Sequence, residues 1–379
     1  MSSTSPLPPG STLGLFGGGQ LGRMFAVAAA RHGYRVHVFA PEANSPAAEV
    51  AAAHTQASYD DLEAVATFAK SVDAVTYEFE NVPAETVDAA AQFVPVRPQG
   101  QVLAVTRNRL DEKTFLRDNG IPVADFRAVH TADELRQACA ELGGSTIVKT
   151  TTLGYDGKGQ TKVDSPDDAT RAWDTIGAPS EAIAEAVIPF TSECSMLVAR
   201  SADGSTVCTG PFHNDHANHI LDVTTWIAGD ESDLAVDARR WAGAVADALA
   251  LTGMICIEFF VTPDGILVNE IAPRPHNSGH LTIEACSVSQ YDQQVRLTAG
   301  HKPAEPTPRA PAAAMVNLLG HVWNDGEPNW STVLEDPRIS LHLYGKHPPK
   351  VGRKMGHLTA LADTPEEAAK ILKEARDRL

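Results

Sequence analysis

Basic side chains, cysteines and long apolar runs are all scarce in this sequence. Lysine and arginine together number 31 against 48 acidic residues, a formal net charge of −17. So acidic a chain lacks the broad basic face that displaces counterions from a nucleic-acid backbone. No apolar run reaches the roughly 18 residues that span a bilayer. The Ser/Pro-rich start, Met1 to Ser11, has no apolar signal core. These absences predict a cytoplasmic protein with neither a membrane nor a nucleic-acid partner. The five cysteines, Cys139, Cys194, Cys208, Cys256 and Cys286, are scattered and never spaced as CxxC, which argues against a disulfide framework and a structural zinc site.

What is present is a globular composition, with 43% hydrophobic residues, 28 glycines and 25 prolines, many of the prolines lying between periodic segments. At 379 residues the chain exceeds what one core serves, so two or three domains are expected. Thr12 to Phe16 reads as a strand, Leu21 to His32 as a helix, and Tyr34 to Phe39 and Asp73 to Glu78 as further strands, the pattern of a parallel α/β domain. From Arg109 to Gly300 the pattern is α+β: a helix over Leu110 to Asn119, then strands at Ser145 to Thr150, Ala182 to Ile188, Cys194 to Arg200 and Met254 to Val261. The Pro-rich stretch His301 to Pro311 reads as a connector to a small third domain.

Met254 to Pro275 reads as a hairpin around Thr262-Pro263-Asp264-Gly265. A three-residue loop, Pro263 to Gly265, pairs Thr262 with Ile266 and sets Glu258 opposite Glu270. Two facing carboxylates repel unless a cation lies between them, and oxygen-only ligands with Asn269 beside them suit magnesium. A four-residue loop instead sets Glu258 opposite Asn269 and turns Glu270 to the other face. An edge hairpin whose glutamates simply face water is the plain alternative.

Two glycine-rich loops accompany this hairpin. Gly17 to Gly22 fits GxGxxG between strand and helix, and Glu42 follows at the spacing of a ribose-binding acid, so an NAD-dependent oxidoreductase is a legitimate rival. The second loop, Thr150 to Gln160, follows the strand ending in Lys149. It departs from the Walker pattern, because glycine follows Lys158, and suits covering phosphates from above while a strand-borne lysine neutralises them.

Six segments in order, GGGQLGRM (Gly17 to Met24), YEFENVP (Tyr77 to Pro83), NRLDEK (Asn108 to Lys113), GYDGKGQ (Gly154 to Gln160), NEIAPRPHNSGH (Asn269 to His280) and GRKMGH (Gly352 to His357), resemble the ATP-grasp superfamily. Within it they resemble the 5-(carboxyamino)imidazole ribonucleotide synthetase family of purine biosynthesis. The resemblance implies an ATP-grasp fold with an N-terminal Rossmann-like domain over residues 12–108, an ATP-grasp domain over 109–300 and a small C-terminal domain over 312–379. It implies a carbon–nitrogen ligase that uses ATP, Mg2+ and bicarbonate to carboxylate aminoimidazole ribonucleotide through carboxyphosphate or carbon dioxide released from it. It also implies a homodimer, with a mutase as the next enzyme and candidate recipient of the product.

Carried over by position, the resemblance assigns Arg109, Lys149, the loop Gly154, Tyr155, Asp156, Gly157, Lys158, Gly159 and Gln160, the strand end Glu185, Ala186, Val187 and Ile188, and Glu193, His216, Asn269 and Glu270 to ATP. It assigns Glu258 and Glu270 to the metal, and Lys149, Arg274, His276 and Tyr155 to catalysis. Gln20, Leu21, Glu80, Asn277, Lys346, Arg353 and Lys354 are its substrate contacts. Where relatives carry an NxHxxGIL-like stretch this chain has Asn214 to Leu221 with His219 in the glycine position, so the turn there is expected to avoid a glycine-only conformation. The rival nearest in family terms is the formate-dependent glycinamide ribonucleotide transformylase, which shares a PRPH stretch and a loop ending GKGQ.

Overall fold

A computed structural model describes residues 5–152, 154 and 157–379. Tyr155 and Asp156, both assigned above, lie outside the described residues. Strands β1 Thr12–Phe16, β2 Arg35–Ala40, β3 Ala53–Gln56 and β4 Ala74–Tyr77 form a parallel sheet in the order β3-β2-β1-β4. Four of the five residues of the central β1 are buried, as a parallel strand covered on both faces requires. The helix Gln20–Arg31 follows directly, and its buried Ala26, Ala28 and Ala29 let it lie close to its neighbours. Its C-terminal end is tied to the middle of the chain, because Arg31 and His32 both meet the Asp292 carboxylate, at 2.6 and 2.8 Å.

Strands β5 Phe126–Val129, β6 Thr146–Thr150, β7 Gln160–Val163 and β8 Ala182–Ala186 form a second sheet in the order β5-β8-β6-β7. β8 ends at Ala186, two residues earlier than the apolar run suggests, and Val187 is exposed. The third sheet holds β9 Ser192–Arg200, β10 Thr206–Ala217, β11 Ile220–Ile227, β12 Gly253–Thr262, β13 Gly265–Ala272, β14 Ala312–Leu319, β15 Ile339–Leu343 and β16 Lys354–Ala362. Its order is β13-β12-β9-β10-β11-β14-β16-β15, antiparallel throughout.

That order shows how the C-terminal segment is joined to the rest of the chain. β11 pairs directly with β14, Val223 opposite Val316, so one sheet runs from the β12–β13 hairpin into the C-terminal segment. The Pro-rich stretch is pinned to the body by Ser287 N–H to Thr307 C=O and Arg309 N–H to Ala285 C=O, both 2.8 Å. Proline density marked a segment without regular structure, and only these tertiary bonds decide that it does not swing as a linker.

Candidate active site

The hairpin of β12 and β13 closes through two turn residues, Pro263 and Asp264, with Thr262 opposite Gly265. This corrects the three-residue loop. The pairing continues as Val261–Ile266, Phe260–Leu267 and Phe259–Val268, a register that by itself sets Glu258 opposite Asn269. A bulge intervenes: the ladder resumes as Glu258–Glu270, with Asn269 as the extra residue. The two carboxylates therefore do face each other, through a bulge rather than through the turn. Because both residues of such a bulge oppose one partner, Asn269 and Glu270 line the same cleft as Glu258.

That cleft, about 590 Å³, lies between the second and third sheets and is walled on one side by the first glycine loop. It gathers Gln20, Leu21, Glu80, Arg109, Lys149, Gly157, Gln160, Glu193, His216, Asn277 and Lys354, together with the hairpin residues, Arg274 and His276. Asn108 caps the helix Arg109–Asp118, accepting from the Leu110 and Asp111 amides, and so aims Arg109 at the cleft. Arg109 reaches Glu270 at 3.0 Å and the Gly154 carbonyl at 2.9 Å. Lys149 pairs with Glu185 at 2.9 Å. Burial alone would raise the Glu185 carboxyl, but the ammonium groups of Lys113 and Lys149 outweigh it and hold the group down at about 2. His216 Nδ1 lies 2.9 Å from Glu193. Burial works against the His216 imidazolium, yet the Glu193 carboxylate outweighs it and raises the group.

On the substrate side, Arg274 Nε donates to Glu80 at 2.6 Å. His276 Nε2 lies 2.8 Å from Glu258 and its Nδ1 2.8 Å from Ser278 Oγ. Burial opposes charge on His276, but its contacts with Cys256 and the Glu258 carboxylate raise it. Neither amide atom of the buried Asn277 side chain has a hydrogen-bond partner among the described residues, the condition of a polar group shaped for a ligand. Glu185 lies behind Lys149, and Ala186, Val187 and Ile188 follow it at the sheet end, outside the cleft lining. Lys158 and Gly159 belong to the turn above the cleft. Lys346 lies 5.7 Å from the Tyr344 ring centroid, and Arg353 donates to the His347 and Pro348 carbonyls, at 3.1 and 2.9 Å, in the basic loop beside the cleft.

The donor set fits a hard divalent ion. Two facing carboxylates and a neighbouring amide offer oxygens only, and among the described residues no group of three or more His, Cys, Asp or Glu is disposed to hold a metal by itself. Such a site suits magnesium that keeps positions for water and phosphate.

Several residues in the site escaped sequence reasoning. Glu78 is buried and takes the Gly19 and Gly22 amides, the Gly22 bond being 2.7 Å. Its carboxylate thus sits where a dinucleotide pyrophosphate would lie. A β-carbon on Gly19 would come 2.6 Å from Glu78 Oε1, so the loop is glycine-rich to admit a side chain of its own chain. Glu42 is exposed and lines no part of the cleft. Gln290 grips the His276 backbone from both sides, accepting from its amide and donating to its carbonyl at 2.9 Å each. Phe190 and Phe260 stack at 4.8 Å and form an apolar wall. His219 also faces the cleft, and its turn is corrected: Asn218 and His219 have φ of 51° and 64°, so a histidine does occupy the left-handed region.

Comparison with known proteins gives the family. The ATP-grasp domain family matches residues 114–291, the ribonucleotide synthetase preATP-grasp domain residues 11–107, and the phosphoribosylaminoimidazole carboxylase C-terminal domain residues 313–371. The N5-carboxyaminoimidazole ribonucleotide synthase of Brucella melitensis is 42% identical over 364 residues, covering 95% of this chain and 99% of that protein. The bifunctional purine synthesis protein purC/E of Dictyostelium discoideum is 39% identical over 374 residues, and there the match covers 93% of this chain but only 37% of the longer protein. Among solved structures, N5-carboxyaminoimidazole synthase from Aspergillus clavatus in complex with ADP and 5-aminoimidazole ribonucleotide superimposes with a TM-score of 0.87 at 30% identity, covering 98% of this chain and 100% of that one.

Proposed function

The chain belongs to the N5-carboxyaminoimidazole ribonucleotide synthase family, and from that premise we propose how its residues divide the work. The enzyme is an ATP-grasp ligase of purine biosynthesis: it carboxylates the exocyclic amine of 5-aminoimidazole ribonucleotide with bicarbonate, converting ATP to ADP and phosphate. The observation that carries our assignment of roles is the bulged pair Glu258 and Glu270, set in one cleft with Lys149 and Arg109.

In this reading the strand end Glu185 to Ile188 meets the adenine edge through its backbone, and Glu193 with His216 holds the ribose. Lys149, Arg109, Gly154 and the turn from Gly157 to Gln160 surround the phosphates. Glu258 and Glu270, with Asn269 beside them, would hold a magnesium ion, which when bound would neutralise charge spreading over the transferred phosphoryl group. A bicarbonate oxygen attacks the γ-phosphorus and ADP departs. The resulting carboxyphosphate delivers its carbonyl carbon, directly or as released carbon dioxide, to the amine, which loses a proton as phosphate leaves.

Arg274, held by Glu80, presents its guanidinium to the bicarbonate and carboxyphosphate oxygens, the planar match that such groups require. His276 completes that end of the site. Gln20, Leu21, Glu80, Asn277, Lys346, Arg353 and Lys354 receive the ribonucleotide, the basic loop meeting its phosphate. The glycine loop lies against His219, where a β-carbon on Gly157 would meet the His219 Cβ at 2.8 Å. A lid in that position shields an intermediate that water destroys. A cytoplasmic homodimer whose product passes to the following mutase completes the proposal, and sedimentation alone and with the mutase tests it.

The deciding experiment measures phosphate release from ATP and magnesium with each substrate omitted in turn. Release that requires both aminoimidazole ribonucleotide and bicarbonate supports the reading. Release that requires formate and glycinamide ribonucleotide overturns it.

A further inference from the structure

Within the NRLDEK segment, Asn108 and Arg109 have evident tasks in the cleft, whereas Glu112 and Lys113 line no part of it, although the Lys113 ammonium also lowers the Glu185 carboxyl. Both are buried to 2% exposure in the helix Arg109–Asp118, an expensive position for two charged side chains unless they meet polar partners. Their partners lie on β13. Lys113 Nζ donates to the Val268 carbonyl at 3.2 Å, and Glu112 Oε2 accepts from the Ile271 amide at 3.1 Å. These two backbone positions flank Asn269 and Glu270.

The spacing of the two positions carries the inference. β13 is the edge strand of its sheet, so one of its sides is not paired with another strand of that sheet. On an unbroken edge strand the residues whose backbone groups point outward recur at every second position. Val268 points outward, since its amide also donates to the Pro122 carbonyl at 2.8 Å. The next outward residue would then be Glu270. Instead it is Ile271, three positions on, which is the phase of a strand carrying one extra residue. Were the hairpin to settle into the register of its two-residue turn, the Ile271 amide would point inward to β12. Glu112 would lose its donor, and Asn269 would replace Glu270 opposite Glu258.

We propose that Glu112 and Lys113 are positioning residues for the phosphoryl-transfer metal: by gripping Ile271 and Val268 together they select the bulged register that sets Glu270 opposite Glu258. Helix Arg109–Asp118 thus acts as a splint, with Arg109 one turn earlier holding the Glu270 carboxylate itself. The inference rests on the reading of Glu258 and Glu270 as metal ligands.

The test compares Glu112→Met and Lys113→Met, which each remove one grip, with Glu112→Gln, which keeps an acceptor for the Ile271 amide, and with Glu270→Gln as reference. Two quantities are measured on the full-length enzyme: the free Mg2+ that half-saturates ADP formation, and the affinity for ADP without metal. Loss of a group that orients a metal ligand costs about 10–100-fold in metal affinity or activity. Both methionine variants should therefore raise the Mg2+ requirement at least about tenfold. Metal-free ADP affinity should hold in both, and Glu112→Gln should respond to Mg2+ as the parent does.

Folded methionine variants with a parental Mg2+ requirement overturn the splint, provided Glu270→Gln is impaired. A fully active Glu270→Gln overturns the metal reading itself, so the two failures are told apart. Should neither methionine variant fold, Glu112→Gln decides: a parental Mg2+ response supports the splint, and a loss of about tenfold overturns it.

Discussion

His276 holds Glu258 through Nε2 at 2.8 Å, so one carboxylate of the facing pair is positioned by an imidazole while the other, Glu270, is positioned by Arg109. Each carboxylate thus meets the cleft already oriented by a cationic or hydrogen-bonding neighbour. Under the proposed metal assignment, such preorganisation would let the pair receive the ion without first rearranging.

Removing one charge from this pair tests it most directly. Glu270→Gln keeps the shape and the bulge but withdraws charge from the metal. Turnover should fall at least about tenfold with the circular dichroism spectrum unchanged. Phosphate release at saturating substrates is the measurement, and near-parental activity would contradict the assignment.

Glu185, held charged by Lys113 and paired with Lys149, makes stability depend on acid. The ordinary Glu185 carboxyl lies at 4.5 and the folded one at about 2, so the folded state favours the charged form. Its contribution is complete above about pH 4.5 and is lost as pH falls toward 2. Urea unfolding should show the parent losing about 2 kcal/mol more than Glu185→Gln between those limits. Parallel curves for the two proteins would remove the pair from the account.

Nucleotide selectivity follows from Glu78. Its carboxylate already takes the Gly19 and Gly22 amides, so NAD finds no pyrophosphate seat in the first domain. ADP with magnesium at about 100 times its dissociation constant should stabilise the protein by about 2.7 kcal/mol. NAD at the same concentration should leave the melting temperature unchanged. Protection by NAD in a differential scanning experiment would point back to a dinucleotide enzyme.

The turn between β10 and β11 holds a strained residue that stability measurements can find. His219 has φ of 64°, where glycine carries no steric penalty. His219→Gly should therefore stabilise the fold by about 0.5–1 kcal/mol, read from chemical denaturation. Gly157→Ala acts in the opposite sense, since Gly157 has φ of 78° and a β-carbon there meets His219. Its KM for ATP should rise about tenfold, the scale of a small displacement at a phosphate clamp.

Much of the site was legible because its chemistry depends on residue type in local order. Glycines at Gly154, Gly157 and Gly159, a strand-borne lysine and the run from Asn269 to His280 sit close together in the chain, so spacing alone could be read. Glu78 is the contrary case. Nothing near Tyr77 or Phe79 says that its carboxylate will cap a loop some sixty residues earlier, because that contact exists only after β1 and β4 pair side by side. Gln290, which braces His276 across two backbone bonds, is hidden for the same reason.

The hairpin separates the two kinds of information most clearly. From the sequence alone came the two alternating strands, the turn near Pro263 and the conclusion that Glu258 and Glu270 belong together. How they come together was decided elsewhere. Alternation leaves register free to slip by one residue, and the two-residue turn taken alone selects the wrong pairing. The bulge at Asn269 restores it; the Ile271 amide that it turns outward is met by Glu112 and the Val268 carbonyl just before it by Lys113, each more than 150 residues away in the chain. Local sequence can specify a strand and a turn, but an edge-strand register is settled by whatever packs against the open edge, and that is a property of the folded chain.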